Sequence, residues 1–252
     1  MLPDFLKRRP VRLVLAVISI ISFIGYAFPL VTVSYPDLKM SWIYHYTETL
    51  FSNRSLVYKF DADWGYQVVS SHGDVLVVKV NGTSRHRYFF ENGSWASFNW
   101  TDLSWFFVNA KTRMYSQGYY TSWWIPPKVY LGDTVPVWNL DLRVVGLAWT
   151  MINGQLLECW VLRYERPMEE YTFLYERTTG FFVRLIFKKI IGKSQIVAER
   201  MITKTSFRWP ILASVRPFLV LIAVAAIVFL TASYIDDLRR LLRRTERIPI
   251  II

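Results

Sequence analysis

The residues with chemical potential are few and scattered. His45, His72 and His86 show neither a His-x-x-x-His nor a Cys/His ligand spacing, so no metal site is expected. His86 alternates with Tyr88 and Phe90 and reads as a structural, hydrogen-bonded imidazole, whereas His72, before Gly73 and Asp74, reads as part of a turn. Asp61 and Asp63 would share one face of an extended chain, as a hard-cation site or an acid/base pair requires. Ahead of Trp64 and Gly65 they read more simply as a solvated turn, and Glu169 and Glu170, after Arg166 and Pro167, as a charged loop. The chain has no Gly-x-Ser-x-Gly, phosphate-cradling Gly-rich loop or Ser-x-x-Lys, so no catalytic residue is assigned and no cofactor is expected. Cys159 is the lone cysteine, which excludes an intrachain disulfide, and its strand-like surroundings make it a small buried hydrophobe rather than a nucleophile.

Aromatic residues are the stronger signal. Trp95, Trp100, Trp105, Trp123 and Trp124 fall within one short stretch beside several Phe and Tyr residues. Most such rings belong in a core, but Tyr119, Tyr120, Trp123 and Trp124 are the candidate exposed surface for a partner, a glycan or a membrane face.

These residues must be positioned by a chain that is 53% hydrophobic and 19% charged, which excludes a disordered tail. Residues 13–35 carry no charge and as a helix would extend about 34 Å, enough to cross a bilayer core of about 30 Å. Residues 217–235 form a second uncharged run of spanning length. Arg216 stands just before it and is expected to snorkel to the outer headgroups, with Trp209 as an interfacial anchor. Lys7, Arg8, Arg9 and Arg12 precede the first run, and Arg239, Arg240, Arg243, Arg244 and Arg247 follow the second, which places both tails in the cytoplasm.

The expected order is a basic tail (1–12), transmembrane helix (13–35), extracytoplasmic β-rich domain (36–208), interfacial segment with transmembrane helix (209–235) and basic amphipathic tail (236–252). That last tail would contact the inner leaflet through Arg239, Arg240, Arg243, Arg244 and Arg247. The net charge of +11 is distributed over tails and domain without a dense patch, so no nucleic-acid partner is expected. Four Asn-x-Ser/Thr sequons, at Asn53, Asn81, Asn92 and Asn99, mark candidate glycosylation sites in the central domain.

Period-two patterns broken by turn residues give that domain its fold class: a mainly-β antiparallel meander of nine to eleven strands, a curved half-barrel or a sandwich. Asn81-Gly82, Asn92-Gly93 and Asn153-Gly154 are each read as strand-joining turns, the first closing a hairpin between residues 75–80 and 85–90. Further strands are expected at 94–98, 142–151, 155–165, 170–176, 181–188 and 195–207, with Gly132-Asp133 as the turn between two halves.

Residues 142–187, with Asn153-Gly154, Cys159-Trp160, Tyr164-Glu165, Tyr175-Glu176 and Thr179-Gly180-Phe181-Phe182, resemble a strand pattern of membrane-anchored archaeal surface proteins. The resemblance implies an archaeal origin and a β-sheet, and carries over no site residues. Such a meander also resembles the half-barrels of lipoprotein carriers, without a shared residue motif.

The function expected from this topology is binding: a membrane-anchored structural or accessory subunit of an envelope complex, whose partners are membrane lipid and another membrane or envelope protein. The alternative is a carrier or sensor that holds a lipid or other apolar ligand in a curved sheet. An envelope hydrolase using Asp61, Asp63 or Glu169 comes third.

Overall fold

The computed structural model describes residues 9–27, 38–126, 128–209 and 211–245. Two compact units result, a helical one from the two chain ends and a β-unit comprising 31–214.

In the helical unit, α1 spans Arg9–Ala27 and α2 spans Ile211–Thr245. Among the described residues one helix is long and apolar enough to cross a membrane, over Phe218–Arg239; the apolar part of α1, Val11–Ile24, is shorter. The expectation of two spanning helices is therefore corrected to one among the described residues, and residues 28–35 of the first run lie outside them. Arg12 of α1 donates to Asp237 of α2, which brings the start of one helix alongside the end of the other. Small residues occupy the enclosed positions: Ser19 and Ser22 on α1, and Ala223, Ala226 and Ser233 on α2, are buried while their large apolar neighbours face outward. This is the pattern expected when helices approach closely in an apolar medium. Arg216 is also buried, so its head is enclosed by protein rather than snorkelling.

The β-unit is one antiparallel sheet of ten strands: β1 (Ser41–Ser52), β2 (Ser55–His72), β3 (Val75–Phe89), β4 (Trp95–Asn109), β5 (Thr134–Val137), β6 (Leu140–Ile152), β7 (Gln155–Arg166), β8 (Glu169–Glu176), β9 (Phe182–Ile191) and β10 (Ser194–Thr205). Its order is β4-β3-β2-β1-β10-β9-β8-β7-β6-β5. The chain thus builds outward from β1 to one edge, crosses through 110–133 to the other edge, and returns by hairpins until β10 pairs with β1. The two ends of the unit meet where Ser206 N donates to Ser41 O at 2.8 Å.

Alternation defines an inner face. Trp42 and Tyr44 of β1, Val68 of β2, Leu76, Val78 and Val80 of β3 and Ile202 of β10 are all buried, while intervening residues are more exposed. The crossover supplies the other half of this core. Trp123 meets Trp42, Tyr66, Phe106 and Tyr115 at ring-centroid distances of 5.3–5.9 Å, so one ring from the crossover touches strands β1, β2 and β4. Backbone bonds fix the segment at both ends, from Ala110 N to Asp74 O and from Ile125 N to Gly180 O. Arg113, itself buried, donates to Trp124 O and Pro136 O at 3.1 Å, and burial lowers the pKa of its guanidinium.

Several sequence expectations shift. Asn153-Gly154 does form a two-residue turn, with φ of 50° and 77°, and Asn92-Gly93 lies in the β3–β4 turn. Asn81-Gly82 does not turn. It lies inside β3, opposite Gly65 and Trp64, because the Trp64 ring occupies the space above Gly82 where a side chain would stand. Asp61 and Asp63 are likewise mid-strand in β2 rather than in a turn. The first hairpin turns at Asn53-Arg54, both with positive φ, a pair without the Gly that signals such turns. Trp209 is not an interfacial anchor: it packs in the core with Phe181 and Phe207, at 6.2 and 5.1 Å.

A Cβ at Gly82 would stand 2.4 Å from Trp64 Cε3. Gly82→Val is expected to destabilise the β-unit by about 1–3 kcal/mol, as overpacking does, and to weaken the Trp64 fluorescence signature; equilibrium denaturation of the full chain measures it.

Candidate functional site

Because the crossover covers only part of the inner face, an aromatic hollow is left beside it. This pocket, of about 400 Å³, is lined by Tyr46 of β1, Phe60, Trp64 and Tyr66 of β2, Trp138 from the β5–β6 connection, Tyr171 of β8, Leu185 and Phe187 of β9, and Ala198 and Arg200 of β10. The register explains the assembly: Tyr46 lies between Ala62 and Arg200, and Ala198 between Glu48 and Phe187, which in turn faces Tyr171. Side chains in one such row point to the same face. Tyr171 and Phe187 stack at 4.5 Å, and Tyr46 meets Phe60 edge-on at 5.5 Å, so the walls are rigid rings.

Polar groups in the pocket are fixed in place. The Tyr46 hydroxyl donates to Glu48 at 2.5 Å and the Tyr171 hydroxyl to Glu169 at 2.8 Å, with Lys189 Nζ 3.5 Å from the same Glu169 oxygen. Burial, reinforced by these carboxylates, raises the pKa of both phenols. Arg200 is the only cation lining the pocket. Its guanidinium lies over Phe182, Tyr44 and Trp138 at 4.4, 5.0 and 5.8 Å, and Nη2 donates to Ser122 Oγ at 2.8 Å.

On the opposite, outer face a polar hollow of about 510 Å³ includes His45, Asp61, Asp63, Thr83, Arg85 and Arg87. Asp61 and Asp63 do share that face, but each has a cationic or imidazole neighbour: Lys59 at 3.6 Å and Arg87 at 3.5 Å for Asp61, His45 at 2.9 Å for Asp63. Among the described residues no group of three or more His, Cys, Asp or Glu side chains could hold a metal. Glu169 stands on the inner face of β8, with β9, β10 and β1 between it and the β2 aspartates, so the three carboxylates do not form one site.

The sequence-predicted binding loop is not assembled as expected. Trp123 and Trp124 are 2% and 4% exposed and belong to the core; Tyr120 is half-buried, pairs with the Trp138 backbone and lies under Arg113. Tyr119 alone of the four is open to solvent. The reason is topological: among the described residues the segment joining the two sheet edges covers the centre of the inner face, so its largest rings turn inward. Exposed rings are found instead on the edge strand β4, at Trp95, Phe98, Trp100, Trp105 and Phe107.

The four sequon residues are exposed, Asn53 and Asn92 in turns and Asn81 and Asn99 on strands. Arg239 is exposed on α2, which continues through Arg240, Arg243 and Arg244; Arg247 lies outside the described residues. His86 accepts or donates at both ring nitrogens, to Tyr58 and Ser84, and stacks on Phe98 at 4.4 Å, the structural role expected of it.

Arg200 and the pocket rings went unmarked in the sequence. A signal existed: on one face of β10, Ile196, Ala198 and Ile202 flank a single Arg200, a cation in an otherwise apolar row.

No family model matches this chain, and no curated protein matches it. Among solved structures, the chain is similar to a protein described as exported, with a YmcC-like fold, from Bacteroides fragilis, at 8% identity and a TM-score of 0.31, covering 70% of this chain and all of that one. It is similar to the S-type phycobiliprotein lyase CPES of Guillardia theta at 8% identity and a TM-score of 0.26, over 66% of this chain and 89% of the other. A DUF1329 family protein from Desulfovibrio piger gives 7% identity and a TM-score of 0.22, over 75% and 91%. Scores this low carry no functional argument. The resemblance of residues 142–187 to archaeal surface proteins is corrected: no family model and no curated protein matches the chain, so no sequence relative supports that kinship. The quoted motifs are strand and turn signals, such as the Asn153-Gly154 hairpin, that any antiparallel meander produces.

Cys159 is fully buried, and burial followed by the charges of Glu176 and Glu158 pushes its thiol pKa well up. We expect a maleimide to leave Cys159 unmodified in the folded protein at pH 8 and to react fully once denaturant unfolds the sheet, a difference read by mass spectrometry.

Proposed function

We propose that this protein is a membrane-anchored, extracytoplasmic carrier or sensor that holds an apolar, lipid-like ligand on the inner face of its sheet. The observation that carries the reading is the aromatic pocket left open where the crossover ends. A folded domain that only needed a core would fill such a hollow, since voids of this size sacrifice packing. Rigid rings with a few fixed polar groups are the ordinary chemistry of small-molecule sites, and about 400 Å³ is within their usual size.

The anchor is α2, with its apolar window over Phe218–Arg239, and the shorter apolar helix α1 lies alongside it. The Arg12–Asp237 pair supports this arrangement because it sets the beginning of α1 and the end of α2 at one level, so both basic tails leave on the same side. Those tails rest on the inner leaflet through their arginines, and the exposed sequons lie in the domain on the other side.

A second reading, an accessory subunit of an envelope complex, is favoured by one observation. Strand β4 is an edge of the sheet, fifteen residues long, and displays Trp95, Trp100, Leu103, Trp105 and Phe107 to solvent. Long apolar edges of this kind are normally covered by a partner.

Two measurements test the proposal. The neutral probe N-phenyl-1-naphthylamine should bind the purified full chain saturably, and Ala198→Phe, which fills the pocket from β10, should weaken it by about tenfold or more with an unchanged circular-dichroism spectrum. Equal binding by this variant places the probe elsewhere and defeats the reading. For topology, Ser97→Cys should be labelled by a membrane-impermeant maleimide on intact cells and Arg239→Cys only after permeabilisation, with buried Cys159 as a silent background; the reverse pattern rejects the proposed orientation.

A further inference from the structure

Arg200 is provided with less than a guanidinium needs. It has five N–H donors. In this structure Nη2 has Ser122 Oγ at 2.8 Å, whereas Nε is buried without an acceptor. The remaining stabilisation is from ring faces, chiefly Phe182 at 4.4 Å and Tyr44 at 5.0 Å. Other arginines of the β-unit are served differently. Arg113 binds two carbonyls, Arg177 reaches Glu158 at 2.7 Å, and Arg184 reaches Glu199 at 2.8 Å.

No counter-charge comes from the walls. Burial raises the pKa of Tyr44, Tyr46, Tyr66 and Tyr175, so these phenols are neutral at physiological pH and cannot act as phenolates. The nearby carboxylates, Glu48 and Glu169, accept from the hydroxyls of Tyr46 and Tyr171. Among the described residues Arg200 forms no ion pair. A cation held among rings without an anion is costly, and a bidentate anion entering the cavity relieves that cost.

We propose that the ligand is an amphiphile whose anionic head, a carboxylate or phosphate, sits on Arg200 while its apolar chain lies between Phe60, Tyr46, Phe187 and Tyr171 towards the open end of the pocket. This rests on the ligand-holding reading above and narrows it to one ligand class. The head would take terminal N–H groups of the guanidinium, whose planar fork favours arginine over lysine for such groups.

The experiment uses the full chain in amphipol, with dodecanoate, dodecyl phosphate and dodecanol competing against N-phenyl-1-naphthylamine. In the native protein at least one anion should bind about tenfold to a hundredfold more tightly than dodecanol, as a charge-assisted bond implies. Preference for dodecyl phosphate assigns a lipid-phosphate source, preference for dodecanoate a fatty-acid source. Arg200→Met should bring the anions down to the level of the alcohol, the readout being the ratio of anion to dodecanol affinity within that variant. Arg200→Lys should keep part of the preference. If dodecanol equals both anions in the native protein, or Arg200→Met spares their preference, Arg200 is structural and this inference fails while the pocket reading stands. If neither the probe nor any competitor binds, the pocket reading itself has failed. Should Arg200→Met not fold, the native headgroup comparison together with Arg200→Lys decides.

Discussion

One constraint organises the β-unit: a ten-stranded sheet has an apolar inner face that must be shielded, and among the described residues the long segment that shields it is the crossover between its two edges. Trp123 and Trp124 accordingly turn inward, and Trp123 bridges three strands at once. The segment is too short to shield the whole face. Where it stops, Tyr46, Phe60, Phe187 and Tyr171 remain as walls without a lid, so the pocket is a direct consequence of the topology.

Buried Arg113 of the crossover and half-buried Arg200 of β10 illustrate how the same side chain serves two ends. Arg113 spends its donors on the carbonyls of Trp124 and Pro136 and thereby holds the crossover in place. Arg200 gives one bond to Ser122 of that same crossover and is the one cation lining the pocket. Structural support and the proposed ligand contact thus meet at one residue, where crossover and strand β10 touch. Gly82 contributes by letting the ring of Trp64, a pocket wall, lie against the β3 backbone.

The helical unit follows different rules. Apart from Arg216, its enclosed positions among the described residues are Ser and Ala rather than Leu or Phe, and its large apolar side chains point away, which suits an apolar surrounding in which close approach, not hydrophobic expulsion, drives helix association. The ion pair of Arg12 and Asp237 closes one end, next to the basic segment of α2.

By itself the sequence determined the class of the fold, because strand periodicity and turn residues are local. The antiparallel sheet, the Asn153-Gly154 hairpin, the burial of Cys159 and the apolar run of α2 could all be read from a few neighbouring residues. Residues 41–72, whose long strands alternate rings with polar groups less regularly, escaped that reading, as did the Gly82 exception, which depends on a ring from another strand. Only the tertiary structure decided which aromatic residues are walls, which are core and which are surface. That decision rests on where a segment distant in sequence lies over the sheet. For the same reason Arg200 became visible as a site only when five strands and the crossover were brought around it: a lone cation in a strand is unremarkable until its surroundings are seen to lack an anion.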